Sequence, residues 1–110
     1  MAIIAAQDAP VPGLDAIVWT PASAGGDEAP TGTGMVLLVR NDDASAHTLT
    51  VATPGTVRGI PVEDVTVTIP AGEVAVVPMA SVYRDPTIRR AALSWDAVTA
   101  VEVAVLNLPR

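Results

Sequence analysis

The stretch "NDDASAH" (41–47) holds Asn41, Asp42, Asp43, Ser45 and His47, the densest set of reactive side chains in the chain. Carboxylates beside an imidazole are the raw material of a metal site or of general acid–base chemistry. A calcium loop of the EF-hand kind alternates its oxygen ligands, turns on a glycine and closes with a bidentate glutamate. Here the polar residues are contiguous, no glycine follows, and the next glutamate is Glu63. Zinc asks for three or four nitrogen, sulfur or carboxylate ligands, and His47 is the single histidine of a chain without cysteine. Asn and Asp tolerate turn geometry well, so the stretch reads as a hairpin tip between two apolar runs.

The other constellations fare no better. Ser45 and His47 are two apart at the start of a strand and would share a face. No GxSxG elbow, orienting acid or oxyanion hole accompanies them, and an ordinary exposed histidine is expected. "GGDEAPTGTG" (25–34) has neither the Gly-Lys-Ser/Thr of a P-loop nor the spacing of GxGxxG. Asp27-Glu28 and Glu63-Asp64 are adjacent pairs, which point apart in an extended chain; a glycosidase pair must be assembled in space. Trp19, Tyr83 and Trp95 read as core anchors or oligomer contacts before they read as a sugar platform. No catalytic, cofactor-binding or metal residue is assigned, no cofactor is expected, and the chain is expected not to be an enzyme.

Bulk properties narrow the class. A chain of 110 residues predicts one domain with a real core. Half the residues are apolar, which argues against disorder, yet no apolar run approaches the roughly 18 residues of a membrane helix. "MAIIAAQDAPVPG" (1–13) lacks a positive n-region, and Gln7 and Asp8 interrupt its apolar run, so it does not read as a secretory signal; synthesis and assembly in a cytosol are expected. Without cysteine there is no disulfide framework. All six basic residues are arginine and lysine is absent, a bias that points to a GC-rich genome. The net charge of −6 argues against a nucleic-acid partner, which draws on clustered basic residues.

These residues need a scaffold, and the scaffold reads as β. Ten prolines leave little room for long helices. "DAIVWT" (15–20) is β-rich, residues 22–34 read as a loop, and "MVLLVR" (35–40) reads as a central strand. "HTLTVAT" (47–53) and "DVTVTIP" (64–70) alternate apolar with Thr, and "VTVTIPAGEVAVVP" (65–78) reads as the clearest hairpin. "VTAVEVAVLNL" (98–108) places Val101, Val103 and Val105 on one face. In 85–97, Asp85 and Pro86 predict a helical turn over about 85–90, followed by a strand at about 91–96. Short strands divided by Gly/Pro turns predict an all-β chain: a single compact β-sandwich, jelly-roll or immunoglobulin-like, of about seven to eight antiparallel strands. Residues 1–13 are expected to form an extended arm, dispensable for the sandwich of 14–110, with Ile3 and Ile4 free to bury on a neighbour.

The ordered set "VLLVRNDDASAHTLTVATPGTV" (36–57), "VTVTIPAGEVAVVPM" (65–79), "SVYRDP" (81–86) and "LSWDAVTAVEVAVLNL" (93–108) resembles small structural proteins of tailed bacteriophages that infect GC-rich actinobacteria. The resemblance covers about two thirds of the chain. It departs at 87–92, where "TIRRAA" stands in place of a glycine-containing turn. It implies a head decoration or minor capsid protein on the outer surface of the virion, assembled in the bacterial cytoplasm and bound to the major capsid protein. It carries no catalytic residues. Few charges and much apolar surface predict self-association, with a trimer favoured. Tyr83, Arg84, Arg89 and Arg90 join Ile3 and Ile4 as expected interface residues. The alternative is a carbohydrate- or host-surface-binding sandwich module, which needs Trp19 or Tyr83 exposed on a flat face.

The contiguous acidic tip with its single histidine gives a direct expectation: folding does not require a divalent metal. Thermal melting in EDTA is expected to match melting in buffer, and a fall of many degrees would contradict this reading.

Overall fold

The structure, a computed structural model, describes residues 2–10, 12–14 and 16–108. Asp15, where the first expected strand begins, lies outside the described residues, as do Met1 and Val11 of the expected arm and the last two residues of the domain. The chain is all-β. In order it forms β1 (Ala2–Ile3), β2 (Ala6–Asp8), β3 (Thr20–Pro21), β4 (Asp27–Ala29) and β5 (Met35–Asn41). Then come β6 (His47–Val51), β7 (Thr56–Val57), β8 (Ile60–Pro61), β9 (Val65–Ile69) and β10 (Val74–Pro78). A 3₁₀ turn (Ser81–Tyr83) precedes β11 (Arg84–Asp85), β12 (Arg90–Trp95) and β13 (Val101–Asn107). Among the described residues no helix is long and apolar enough to cross a membrane.

The strands form a sandwich of two main sheets. A six-stranded sheet runs β1-β4-β12-β6-β9, with β11 on β12; a five-stranded sheet runs β10-β5-β13-β2, with β3 on β13. The period-two patterns explain why these two layers face each other. Leu37 and Val39 of β5 and Val101, Val103 and Val105 of β13 meet Leu49 and Val51 of β6, Ile69 of β9 and Leu93 of β12 in one buried cluster. Apart from buried Ala104 on β13, the inward rows alternate with half-buried or exposed residues on the outer face. "MVLLVR" is the central strand expected, paired on both sides.

The connections differ from the expectation. The residues flanking "NDDASA" do not form a hairpin: β5 lies in the five-stranded sheet and β6 in the six-stranded one. "VTVTIPAGEVAVVP" is likewise an arch between sheets, because β9 pairs with β6 and β10 with β5. The link from β12 to β13 crosses as well. Asn41 explains the first two. Its backbone amide donates to Glu73 O at 3.0 Å and its carbonyl accepts from Gly72 N at 2.8 Å. Its side-chain amide donates to Ile69 O at 3.0 Å and Ser45 O at 2.9 Å, while Oδ1 accepts from Asp43 N at 3.0 Å. The turn residues of both arches therefore bond to Asn41 rather than closing ladders of their own.

Four further expectations are corrected. Among the described residues of "DAIVWT" only Thr20 joins a sheet, with Pro21 after it; the backbone of Val18 is held by the Gln7 side chain instead, through bonds of 2.7 and 2.9 Å. The glycine-rich loop contains β4, whose approach to β12 is so close that a Cβ on Gly26 (φ 96°) would lie 2.7 Å from Leu93 O. The expected helical turn over 85–90 is a hairpin turn between β11 and β12. Asp85 Oδ1 accepts from Thr87 N, Asp85 O accepts from Arg89 N, and Arg89 takes φ 60°. Finally, the N-terminal segment is extended but does not project. Its strand β1 pairs with β4 and β2 with β13, and Ile4 is a core residue at 3% exposure. Ile4 therefore belongs to the sandwich and is not free to bury on a neighbour.

Because Asn41 is fully buried, truncating it leaves buried carbonyls without a donor. Asn41→Ala is expected to lower stability by about 3 kcal/mol, and Asn41→Asp by more, since a carboxylate would face the carbonyls of Ile69 and Ser45. Urea denaturation measures both. A loss below about 0.5 kcal/mol for the alanine variant, the range of ordinary surface substitutions, would remove Asn41 from this role.

Candidate functional site

The reactive residues of 41–47 gather at the end of the sandwich where the three arches converge. His47 opens β6 with its side chain pointing inward, and it is buried at 5% exposure, contrary to the exposed histidine expected. Its Nε2 lies 2.8 Å from Asp43 Oδ2, and its Nδ1 faces Asp96 Oδ1 at 3.4 Å. Asp96, on the β12–β13 connection, also accepts from Thr48 N at 3.0 Å and Ala97 N at 2.7 Å. Asp42 N donates to Ala100 O at 3.0 Å. The cluster thus ties the first arch to the third, as Asn41 ties the first to the second.

The electrostatics follow from these contacts. The hydrogen bond with His47, and then that from Ala44 N, hold the Asp43 carboxyl below the usual aspartate value. The amide of Thr48, then that of Ala97 and the nearby imidazole, lower Asp96. Ser45 is exposed, its backbone carbonyl accepts from Asn41 Nδ2, and His47 Nε2 bonds to Asp43 instead, so Ser45 and His47 form no nucleophile–base pair. Among the described residues no group of three or more His, Asp or Glu side chains is placed to hold a metal ion. What this arrangement does chemically is latch two loops together.

A second polar knot lies under the six-stranded sheet. Asp27 is buried, and its Oδ2 accepts from Ser23 N and Trp95 Nε1, both at 3.0 Å. Glu28, its neighbour on the outer face, pairs with Arg90 at 3.4 Å. On the outer face of the other sheet the Arg40 guanidinium pairs with Glu102, lies 3.4 Å from Asp42 and covers the Trp19 ring at 4.6 Å.

The residues expected at an interface divide. Ile3 is exposed beside Glu28, whereas Ile4 is in the core. Arg84 and Arg89 are exposed on the β11–β12 hairpin; Arg90 is half-buried against Glu28, and Tyr83 packs partly buried on the core. The larger bare apolar surfaces lie elsewhere. On the outer face of the five-stranded sheet, Val74 and Val76 are 50% and 61% exposed, beside exposed Pro78 and half-buried Val36 and Leu38. A cavity of ≈ 380 Å³ opens at the end of this face between Gly32, Met35, Val36, Pro78 and Ser81. The outer face of the other sheet instead carries Glu28, Thr48, Thr50, Thr66, Thr68 and Ser94. Sequence reasoning missed the apolar face, although "VAVV" is apolar at both alternating sets of positions, and an edge strand with two apolar faces signals a second covered surface.

Comparison with protein-family models, curated proteins and solved structures returns no match to this chain.

The lowered carboxyls set an acid limit on the latch. A carboxylate whose folded value lies below its ordinary 3.8 stabilises the fold above that value, and the contribution is lost as pH falls through the lowered one. Asp43→Asn and Asp96→Asn are therefore expected to be less stable than the parent at neutral pH, with the gap closing as the solution is acidified below 3.8. Denaturant titrations across this range test it; a gap independent of pH would remove the carboxylate charges from the latch.

Proposed function

We propose that this chain is a non-enzymatic structural protein of a bacteriophage virion, a capsid decoration protein that stabilises the head by binding the major capsid protein on its outer surface. The observation that carries this reading is the asymmetry of the sandwich. One outer face is threonine-rich, while the other, beside its Arg40–Glu102 pair, presents Val74, Val76 and Pro78 to solvent next to an open cavity. Such a face marks an interaction site, and a rigid sandwich with one adhesive side suits attachment to a shell. The ordered resemblance of 36–57, 65–79, 81–86 and 93–108 to phage head proteins supports the choice of partner. The charge of −6 adds repulsion from packaged DNA and favours the outside of the shell. Self-association accompanies attachment, and a trimer is the assembly favoured by composition.

The carbohydrate reading has less support. Trp19 is half-buried beneath Arg40, Trp95 donates to Asp27, and Tyr83 packs on the core. None of the three offers a flat, fully exposed ring.

Incubation with heads that lack the protein, followed by mass spectrometry of the purified particles, tests the proposal. The parent chain is expected to bind at a fixed ratio to the shell protein. Completing the burial of two half-exposed valines is worth about 1 kcal/mol each, so Val74→Ala with Val76→Ala is expected to weaken binding roughly thirty-fold with little change in melting. Absence of the protein from virions, or no binding by the parent chain, would defeat the reading.

A further inference from the structure

We infer that the open edge of β10 is a self-association site, where two copies of this chain pair β10 with β10, antiparallel about a twofold axis, and join their five-stranded sheets. β10 (Val74–Pro78) ends its sheet on one side, and among the described residues β5 is its only partner strand. Met79 N donates to Met35 O at 2.9 Å and Asn41 N donates to Glu73 O at 3.0 Å, so the odd positions turn their peptide groups toward β5. Peptide direction alternates along a strand. Val74, Val76 and Pro78 therefore turn theirs outward, away from the sheet. Pro78 fits this parity, because proline is tolerated at an edge where its N–H would have faced solvent. The edge offers N–H and C=O at Val74 and Val76, and C=O alone at Pro78.

These groups select the occupant. An added strand must donate to and accept from Val74 and Val76 while asking no donor of Pro78. β10 itself, reversed, meets that demand in one register. With Ala75 at the axis, Val74 stands opposite the other copy's Val76, and Val76 opposite its Val74, and each pair exchanges both of its hydrogen bonds. Pro78 then meets the other copy's Gly72, which has no side chain to obstruct the ring and whose N–H is already bonded to Asn41 O at 2.8 Å. Gly72 takes φ 77°, so the pairing stops where the strand turns away. Moving the axis to Val76 leaves the Val74 carbonyl opposite Pro78 without a donor. Moving it to Val74 asks of Gly72 a bond it already makes within its own chain. The donor–acceptor order is complementary to itself, which makes the contact isologous and closed at two copies. That symmetry is twofold, in place of the trimer favoured by composition.

Side chains favour the same edge. It lacks the lysines and inward charges that keep many edges apart. The axis stands perpendicular to the sheet, so both outer faces lie on one side. Val74, 50% exposed, gains the other copy's Val76, 61% exposed, as its cross-strand neighbour. A row across the joined sheets then runs Glu102, Arg40, Val74 and the other copy's Val76 and Leu38. Its apolar centre is bounded by the Arg40–Glu102 pair of each copy. β9, the other five-residue edge, carries Thr66 and Thr68 on its outer face, and water satisfies their hydroxyls. One pair of short strands covers less than the roughly 1,200 Å² of a standard interface, so the dimer is weak in solution and gains from many copies held on one surface. The pairing supplies a surface for the self-association in the proposed function and leaves the valine face turned outward for attachment, but it stands whether or not the protein binds a head.

Sedimentation equilibrium of the full chain over micromolar to millimolar concentration, with amide exchange followed by NMR, tests it. The parent is expected to approach a dimer, and the Val74 and Val76 amides to become protected as it forms. Val76→Pro removes an edge donor without touching the β5 ladder. It is expected to weaken dimerisation at least tenfold with melting nearly unchanged, whereas Val76→Thr keeps the N–H and is expected to dimerise like the parent. The two Ala75 residues meet at the axis as a non-hydrogen-bonded pair with Cα atoms about 4.5 Å apart, within the span of a disulfide. In this cysteine-free chain, Ala75→Cys is therefore expected to cross-link copies under mild oxidation at least tenfold faster than Glu73→Cys, which the register holds apart. Should Val76→Pro fail to fold, the amide protection and the cross-link decide. A parent that stays monomeric, a trimer, a dimer indifferent to Val76→Pro, or cross-linking as fast at 73 as at 75 would each overturn the inference. A parent that dimerises in this register yet binds no heads bears on the proposed function alone and leaves the pairing untouched.

Discussion

The fold depends on how backbone groups are satisfied where three connections cross between the sheets at one end. A crossing connection leaves both ladders, so its amides and carbonyls need partners from outside either sheet. Asn41 supplies them with one buried side chain and its own peptide groups, reaching Ser45 and Asp43 in its own arch and Ile69, Gly72 and Glu73 in the next. An amide can do this because it donates twice and accepts at the same time. A carboxylate or an apolar residue of similar size has no such set of groups. The His47 cluster extends the knot to the third connection with charged partners.

This way of closing one end shapes the surface. Since β9 and β10 belong to different sheets, each becomes an edge strand. The edge on β10 carries valine on its outer face, without the lysines or inward charges that blunt many exposed edges. The outer face of the opposite sheet is threonine-rich, where cross-strand hydroxyl pairs such as Thr48 with Thr68 lie in water. A domain with one threonine-rich side and one that bares valines beside its Arg40–Glu102 pair is suited to lying against something larger. The β7–β8 hairpin between β6 and β9 adds a second, separate apolar surface at the far end of the strands from the knot.

Much of the strand content was legible in sequence. Strands β5, β6, β9, β10 and β13 fall where alternation or a continuous apolar run placed them, because side-chain period is a local property of an extended chain. The closing strand showed its buried row of Val101, Val103 and Val105 directly. Length, proline content and turn residues set the class as a single all-β domain. The glycine-rich stretch of 22–34 read as loop alone and hid β4, which is only three residues long.

Tertiary structure decided what those strands do. A bend between two apolar runs is the same string of letters whether it closes a hairpin or crosses between sheets, and the choice rests on Asn41 meeting a turn 28 residues away. The burial of His47, the bond from Trp95 to Asp27 across 68 residues and the pair of Arg40 with Glu102 across 62 depend on the same long-range packing. Nor does periodicity say whether an apolar face is covered. Val57, Ile60, Val74 and Val76 are as apolar as the residues of any buried strand, and only the position of the other elements leaves them bare.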